Sequence, residues 1–272
     1  MRPLPKPFVF NVVNTQTISG VFQTLSGKSI IVDWGDGTRK AYTGTTEQAY
    51  SKDYGSAGNR TVKVFNAAVM TRFTMIKTGA NITFNLRNLP AGLTYFLCTG
   101  SNTITGDIAN LPAGLTDFIC YGSNTITGDI ADLKTGLTDF RCTGSSTITG
   151  DIANLPAGLT IFECQGSNTI TGDIADLPAG LTTFYCTGSN TIDTYSGKTW
   201  TTKPATFILI PTGVGGLDVD EVNQLLIDFD DDLTWATGNK ITLTGTNAAP
   251  NATSADAIAS IRAEGATVEV NS

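Results

Sequence analysis

The sequence predicts a mainly β chain in three parts: a small β-rich unit, a solenoid of five 22-residue coils, and an α/β unit that closes it. Three observations lead there. Cys98, Cys120, Cys142, Cys164 and Cys186 stand 22 residues apart at every step. Around each runs nearly the same text, from LPAGLTYFLCTGSNTITGDIAN at the first to LPAGLTTFYCTGSNTIDTYSGK at the fifth. Outside the repeat the period vanishes, giving short β-rich runs before it and helical spacing after it. A fixed period in the twenties means coils that bury their apolar side only by stacking on their neighbours. The expected divisions are 1–78, 79–198 and 199–272.

In the first part FVFNVVN, GVFQTL, SIIVDWGDG, TVKVF and TRFTMI read as strands separated by Gly, Asn and Ser, as in a small sandwich. Alternation places Ile30, Val32 and Trp34 on one face and Ile31 and Asp33 on the other. The Gly35-Asp36-Gly37 that follows is turn chemistry. Asp33 and Asp36 make a poor calcium pair without further oxygen ligands, so they are expected to tie down their own turn and a neighbouring loop. The WGDGT at 34–38 and the Tyr54-to-Val64 stretch (YGSAGNRTVKV) together resemble the PKD-type immunoglobulin-like domain over roughly residues 8–78. That resemblance implies a β-sandwich.

Each repeat reads L-T-x-F-x-C-x-G-S-N-T-I-T-G-D-I-A-x-L-P-A-G. Phe96 and Cys98 are two apart and share a strand face, so Leu93, Phe96, Cys98 and their copies point inward. The L-P-A-G stretch suits the turn that brings the chain round. The Asn column meets backbone groups at a bend that no ladder reaches. Leu93, Phe96, Cys98, Asn102 and Ile104 fill columns that resemble the leucine-rich repeat, with Asn one residue later than that family's usual count. The third copy carries Ser146 for Asn and Lys134-Thr135 for Pro-Ala. The cysteines are odd in number and follow the repeat, so they read as buried, unreactive thiols rather than a disulfide framework. Asp107, Asp129, Asp151 and Asp173 are read as a solvated edge in preference to a metal ladder.

Beyond 198, residues 217–233 (LDVDEVNQLLIDFDDDL) predict an amphipathic helix with a capping signal in Asp218 and Glu221. A strand near 240–244, a helix from 254 to about 264 and a closing strand in TVEVN follow. Such a unit covers the open end of a solenoid. The acidic run Asp228, Asp230, Asp231 and Asp232 lacks the glycine-punctuated alternation of a calcium loop and reads as a solvated helix end.

Function is expected where the copies differ. Most columns are constant, but three vary: Tyr95, Asp117, Asp139, Ile161, Thr183; then Leu97, Ile119, Arg141, Glu163, Tyr185; then Thr99, Tyr121, Thr143, Gln165, Thr187. All flank the inward Phe and Cys and therefore share the opposite, exposed face. The expected ligand-binding residues are Tyr95, Asp117, Tyr121, Asp139, Arg141, Glu163, Gln165 and Tyr185, because aromatic and Arg side chains carry most interface energy. Arg141 is read as able to pair with an acidic group on the ligand.

An enzyme is not expected. The chain has no His to act as a base near neutral pH, and no G-x-S-x-G, P-loop or zinc spacing. A pair of carboxylates such as Asp139 and Glu163 is what a glycosidase reading would use. No cofactor and no metal is expected. The net charge of −7 disfavours nucleic acid and anionic membrane surfaces. No apolar run is long enough to span a bilayer, and the opening MRPLPKPFVFNVVNT lacks a signal-peptide h-region. The expectation is a chain kept in the cell, stripped of a signal, or released inside a virus particle.

The order of parts — PKD-like domain, leucine-rich-repeat stack, then helix, N-A-A-P, helix and T-V-x-V — resembles bacteriophage virion proteins of the tail-fibre, receptor-binding or decoration kind. The resemblance implies a location on the virion. It also implies attachment to other virion proteins through the first domain, and a host-surface glycan or protein as partner of the repeats. A homo-oligomer is compatible with it. A purely structural decoration subunit and a bacterial leucine-rich-repeat surface adhesin are the alternatives.

Overall fold

The computed structural model describes residues 6–76 and 81–272. The expected boundary at 78/79 falls outside them. Strands take up 47% of the chain and helices 17%, so the protein is mainly β. It divides into two compact units, residues 1–127 with 142–145 and residues 128–141 with 146–272.

In the first unit a long strand, Phe8–Thr24, pairs antiparallel with Gln48–Phe65. Ser29–Asp33 bridges Arg39–Thr43 and the end of the long partner. Alternation along Ile30–Trp34 is realised: Ile30, Val32 and Trp34 are buried while Ile31 is exposed. The turn between Asp33 and Arg39 closes on a Trp34 N–H to Thr38 carbonyl bond of 3.0 Å. Asp33 accepts from the Gly35 amide and from Arg39, and Asp36 accepts from Thr38 and pairs with Lys52 at 2.6 Å. The Gly35 amide and Arg39 hold the Asp33 carboxyl below its usual range, and Lys52 and Thr38 do so for Asp36.

The strand Met70–Met75 has two kinds of neighbour. It pairs antiparallel with Gly20–Thr24 and parallel with Tyr95–Cys98, setting Phe73 beside Phe96 and Met75 beside Cys98. The next rung sets Phe96 beside Phe118 and Cys98 beside Cys120. A second parallel ladder runs through Ile82–Asn85, Thr103–Asp107 and Thr125–Thr127.

In the second unit Phe162, Glu163 and Cys164 lie beside Phe184, Tyr185 and Cys186, and these lie beside Phe207, Ile208 and Leu209. The ladder continues without the 22-residue period: Phe207 beside Ile241 beside Val268. Rings of Phe140, Phe162, Phe184 and Phe207 follow one another at 5.8, 6.0 and 5.1 Å. The column ends on Phe229 and Trp200. Phe229 belongs to α1 (Val219–Asp232), whose N-terminus carries a complete capping box in which Asp218 and Glu221 bond each other's backbone amides. Val222, Leu225, Leu226 and Phe229 form its buried stripe. α2 (Ala255–Ala263) packs against α1 and leads into the closing strand Thr267–Val270.

One column of the repeat holds neighbouring copies to one another. Asn102 and Asn124 in the first unit accept the amides of Ile82 and Ile104; Asn168 and Asn190 in the second accept those of Ile148 and Ile170, all at 2.9–3.3 Å. These asparagines are fully buried, so each satisfies a backbone donor that water cannot reach. The five cysteines are buried and free. Burial raises the Cys98, Cys120 and Cys186 thiols well above their ordinary range.

Candidate functional site

The Asp column is the first feature to be reassigned. Asp107, Asp129, Asp151 and Asp173 each cap a single 3₁₀ turn, accepting from the amides of Ala109, Ala131, Ala153 and Ala175 at 2.8–2.9 Å. The next coil then packs on that carboxylate. A Cβ on Gly150 would lie 2.3 Å from Asp129 Oδ1, and one on Gly172 would lie 2.3 Å from Asp151 Oδ1. The column therefore has a structural duty beyond that of a solvated edge. Part of the acidic run is likewise engaged. Asp228 accepts from the Tyr195 hydroxyl at 2.5 Å and from Gln224, and Asp232 accepts from the Trp200 amide at 2.7 Å. These bonds pin residues 195–200 to α1. Among the described residues, no group of three or more Cys, Asp or Glu is placed to hold a metal ion.

The varied columns lie on the strand face opposite the Phe and Cys columns. In the first unit Tyr95 sits beside Asp117. Arg72, one strand earlier, lays its guanidinium 3.5 Å from the Tyr95 ring centroid, a close cation–π contact. Its Nε is 3.3 Å from the Glu47 carboxylate but is not aligned for a hydrogen bond, so that pair is a charge contact. One face of Tyr95 is thus already covered. Asp117 accepts from the Thr116 hydroxyl at 2.6 Å. Tyr121 is half-buried just past Cys120.

In the second unit Asp139, Arg141, Glu163, Gln165 and Tyr185 share a face because strand side chains alternate and parallel strands stand in register. Arg141 forks onto Asp139, with Nε to Oδ1 at 2.8 Å and Nη2 to Oδ2 at 2.9 Å. Its Nη1 reaches Glu163 on the next strand at 3.4 Å. Glu163 stands beside Tyr185, and Gln165 beside Thr187.

Two expectations change here. Asp139 is only 9% exposed, because the Arg141 fork covers it. Arg141 itself is not presented as a bare charge for an acidic ligand group, since two carboxylates of its own face already engage it.

The register also extends this face past the repeat. Tyr185 is followed by Ile208, Thr242 and Glu269, and Thr183 by Thr206, Lys240 and Thr267. Ile208 and Thr242 are nearly covered, while Lys240 and Glu269 form a half-exposed ion pair at 3.0 Å. Arg72, Lys240 and Glu269 were missed because their strands stand outside the 22-residue period. For Arg72 the T-x-F-x-apolar pattern of 71–75 (TRFTM), which matches the repeat's own, was the available signal.

The chain matches no family model, and no curated protein matches it.

Proposed function

We propose that the protein is a non-enzymatic virion protein of the bacteriophage kind. On this reading residues before the repeat form a PKD-like immunoglobulin-type domain that attaches to other virion proteins. The five 22-residue segments form a leucine-rich-repeat-like solenoid, and residues from 199 onward cap it. The outer strand face of the repeats binds a glycan or protein on the host surface.

The observation that carries this is the confinement of change. Inward columns, Asp caps and the positive-φ glycines are copied from one copy to the next, and the Asn caps in all but the third copy, and each of these has a structural duty. The outer columns have none in common, yet in the second unit they set Asp139, Arg141, Glu163 and Tyr185 against one another on one face. A half-buried polar cluster with an aromatic neighbour is the composition of a recognition surface. Engagement of both Asp139 oxygens by Arg141 also weighs against its use as a glycosidase acid or base.

The test is attachment of purified, labelled protein to a panel of bacterial cells. Glu163→Ala/Tyr185→Ala should lose attachment at least tenfold, while Asp132→Ala/Asn154→Ala, on exposed turn positions, should retain it. Wild-type protein that attaches to no cell, together with its detection in intact particles, would replace this reading with that of a decoration subunit. Detection on a bacterial envelope instead would favour the adhesin.

A further inference from the structure

The pairing of charges on the outer face says what kind of ligand it takes. Among the described residues, three cations stand in the outer columns outside the turns. Arg72, in the first unit, lies on Tyr95 and beside Glu47. In the second unit Arg141 bridges Asp139 and Glu163, and Lys240 pairs with Glu269, which also accepts from the Thr242 hydroxyl at 2.9 Å. Each unit taken by itself thus neutralises its cations internally. The Arg141 fork is the tightest of these, with side-chain exposures of 27% for Arg141, 12% for Asp139 and 18% for Glu163.

An anionic ligand would need Arg141 to leave a bidentate carboxylate that is already in place, an exchange of one charged pair for another with little gain. It would also approach two fixed carboxylates. A ligand rich in hydroxyls faces no such exchange: it donates to the remaining lone pairs of Asp139 and Glu163 and lays an apolar sugar face on Tyr185.

We infer that the outer strand face of the second unit recognises an uncharged glycan chain, and that Arg141 is a positioning residue that holds Asp139 and Glu163 as hydroxyl acceptors. This rests on the reading of that face as the ligand-binding surface. Because the charges are paired before binding, affinity depends little on salt, unlike the steep dependence of a face that attracts an oppositely charged polymer. Breaking the pairing creates a different receptor. In Asp139→Asn/Glu163→Gln the face loses two negative charges beside the guanidinium and so gains attraction for an acidic sugar.

The experiment measures binding of the whole chain to immobilised dextran, mannan and galactan as neutral probes, and to alginate and hyaluronan as anionic ones, in 50 and 500 mM NaCl (about a threefold change in screening length). Wild type should bind at least one neutral probe, with less than twofold change across the salt range, and neither anionic probe measurably. Asp139→Asn/Glu163→Gln should lose neutral binding at least fivefold and gain alginate or hyaluronan binding that 500 mM NaCl abolishes. Arg141→Gln should weaken neutral binding without any gain for the anionic probes.

Wild-type preference for an anionic probe with steep salt dependence overturns the inference, as does failure to bind any neutral probe while still attaching to cells. Tyr185→Ala separates the two levels. If it leaves binding of every probe unchanged, the face itself is wrong. If it abolishes binding of an anionic probe, the face stands and the uncharged ligand falls.

Discussion

Replacing Asn168 with Ala tests the contact that joins one coil to the next. Asn168 is fully buried, and its Oδ1 accepts the Ile148 amide at 2.9 Å. Its own Nδ2 is buried without a hydrogen-bond partner. Removing the side chain strands the Ile148 N–H in a dry site, which costs about 1–3 kcal/mol. Relief of the unpartnered Nδ2 returns a part of that, so the expected loss lies toward the lower half of the range. For a chain of this size, each kcal/mol lowers Tm by about 2–4 °C.

The sequence supplies a control. Ser146 stands at this place in the preceding copy and is also fully buried. A Ser hydroxyl still offers an acceptor, so Asn168→Ser should cost less than half as much as Asn168→Ala. Urea unfolding gives the energies, and amide hydrogen exchange at Ile148 reads the bond itself, with protection falling in the Ala variant first. If Ala and Ser cost the same, or if Ile148 stays equally protected in both, the Oδ1 contact is not what satisfies that amide.

Phe162, stacked between Phe140 and Phe184 and fully buried, should cost about 3–5 kcal/mol on replacement by Ala, read by the same unfolding curves; an unchanged midpoint would refute the ring column. Asp36 is held below its usual range by Lys52 and Thr38, so its contribution is present above the ordinary carboxylate pKa of about 4 and fades as pH falls below that. The gap in Tm between wild type and Asp36→Asn should accordingly be widest near pH 7 and shrink toward pH 2, and a constant gap would show that charge plays no part. The five thiols should resist alkylation in the folded protein and all react after denaturation without reductant, and a count below five by mass spectrometry would reveal a disulfide.

The mainly β class was legible in the sequence because the 22-residue period fixes the inward face: Phe and Cys two apart can only share one side of a strand. The capped helix at 219–232 was legible for the same reason, its spacing and Asp218–Glu221 pair being local chemistry. Other features depend on the neighbouring coil and so left no local trace. The Asp129 cap on Ala131 is itself local, but nothing within one repeat shows that Gly150, one copy on, must lack a Cβ to clear that carboxylate. Strands 70–75, 206–211, 240–243 and 267–270 join the ladder through loops of other lengths, which a search for one period passes over. At the candidate site the residues were legible as varied positions, but their mutual engagement was not. Asp139 and Arg141 are two apart on one strand, a spacing that the sequence shows, whereas the closing of the fork depends on the rotamers and on Glu163 one coil away.

The Asp–Gly and Asn–amide contacts have a consequence for how such a chain can change length. Within the second unit Gly150 receives the Asp129 carboxylate and Gly172 that of Asp151; Ile148 receives Asn168 and Ile170 receives Asn190. In these copies the Asp carboxylate is therefore a lock on the successor and the Asn oxygen a lock on the predecessor, with Ser146 standing for Asn in the third copy. A segment of 22 residues duplicated or deleted in phase leaves all remaining locks matched, and a cut out of phase leaves none. Nearly identical copies also invite misaligned recombination in the gene. Lineages carrying this architecture are then expected to differ in whole 22-residue segments, lengthening or shortening the outer strand face while the flanking segments stay the same.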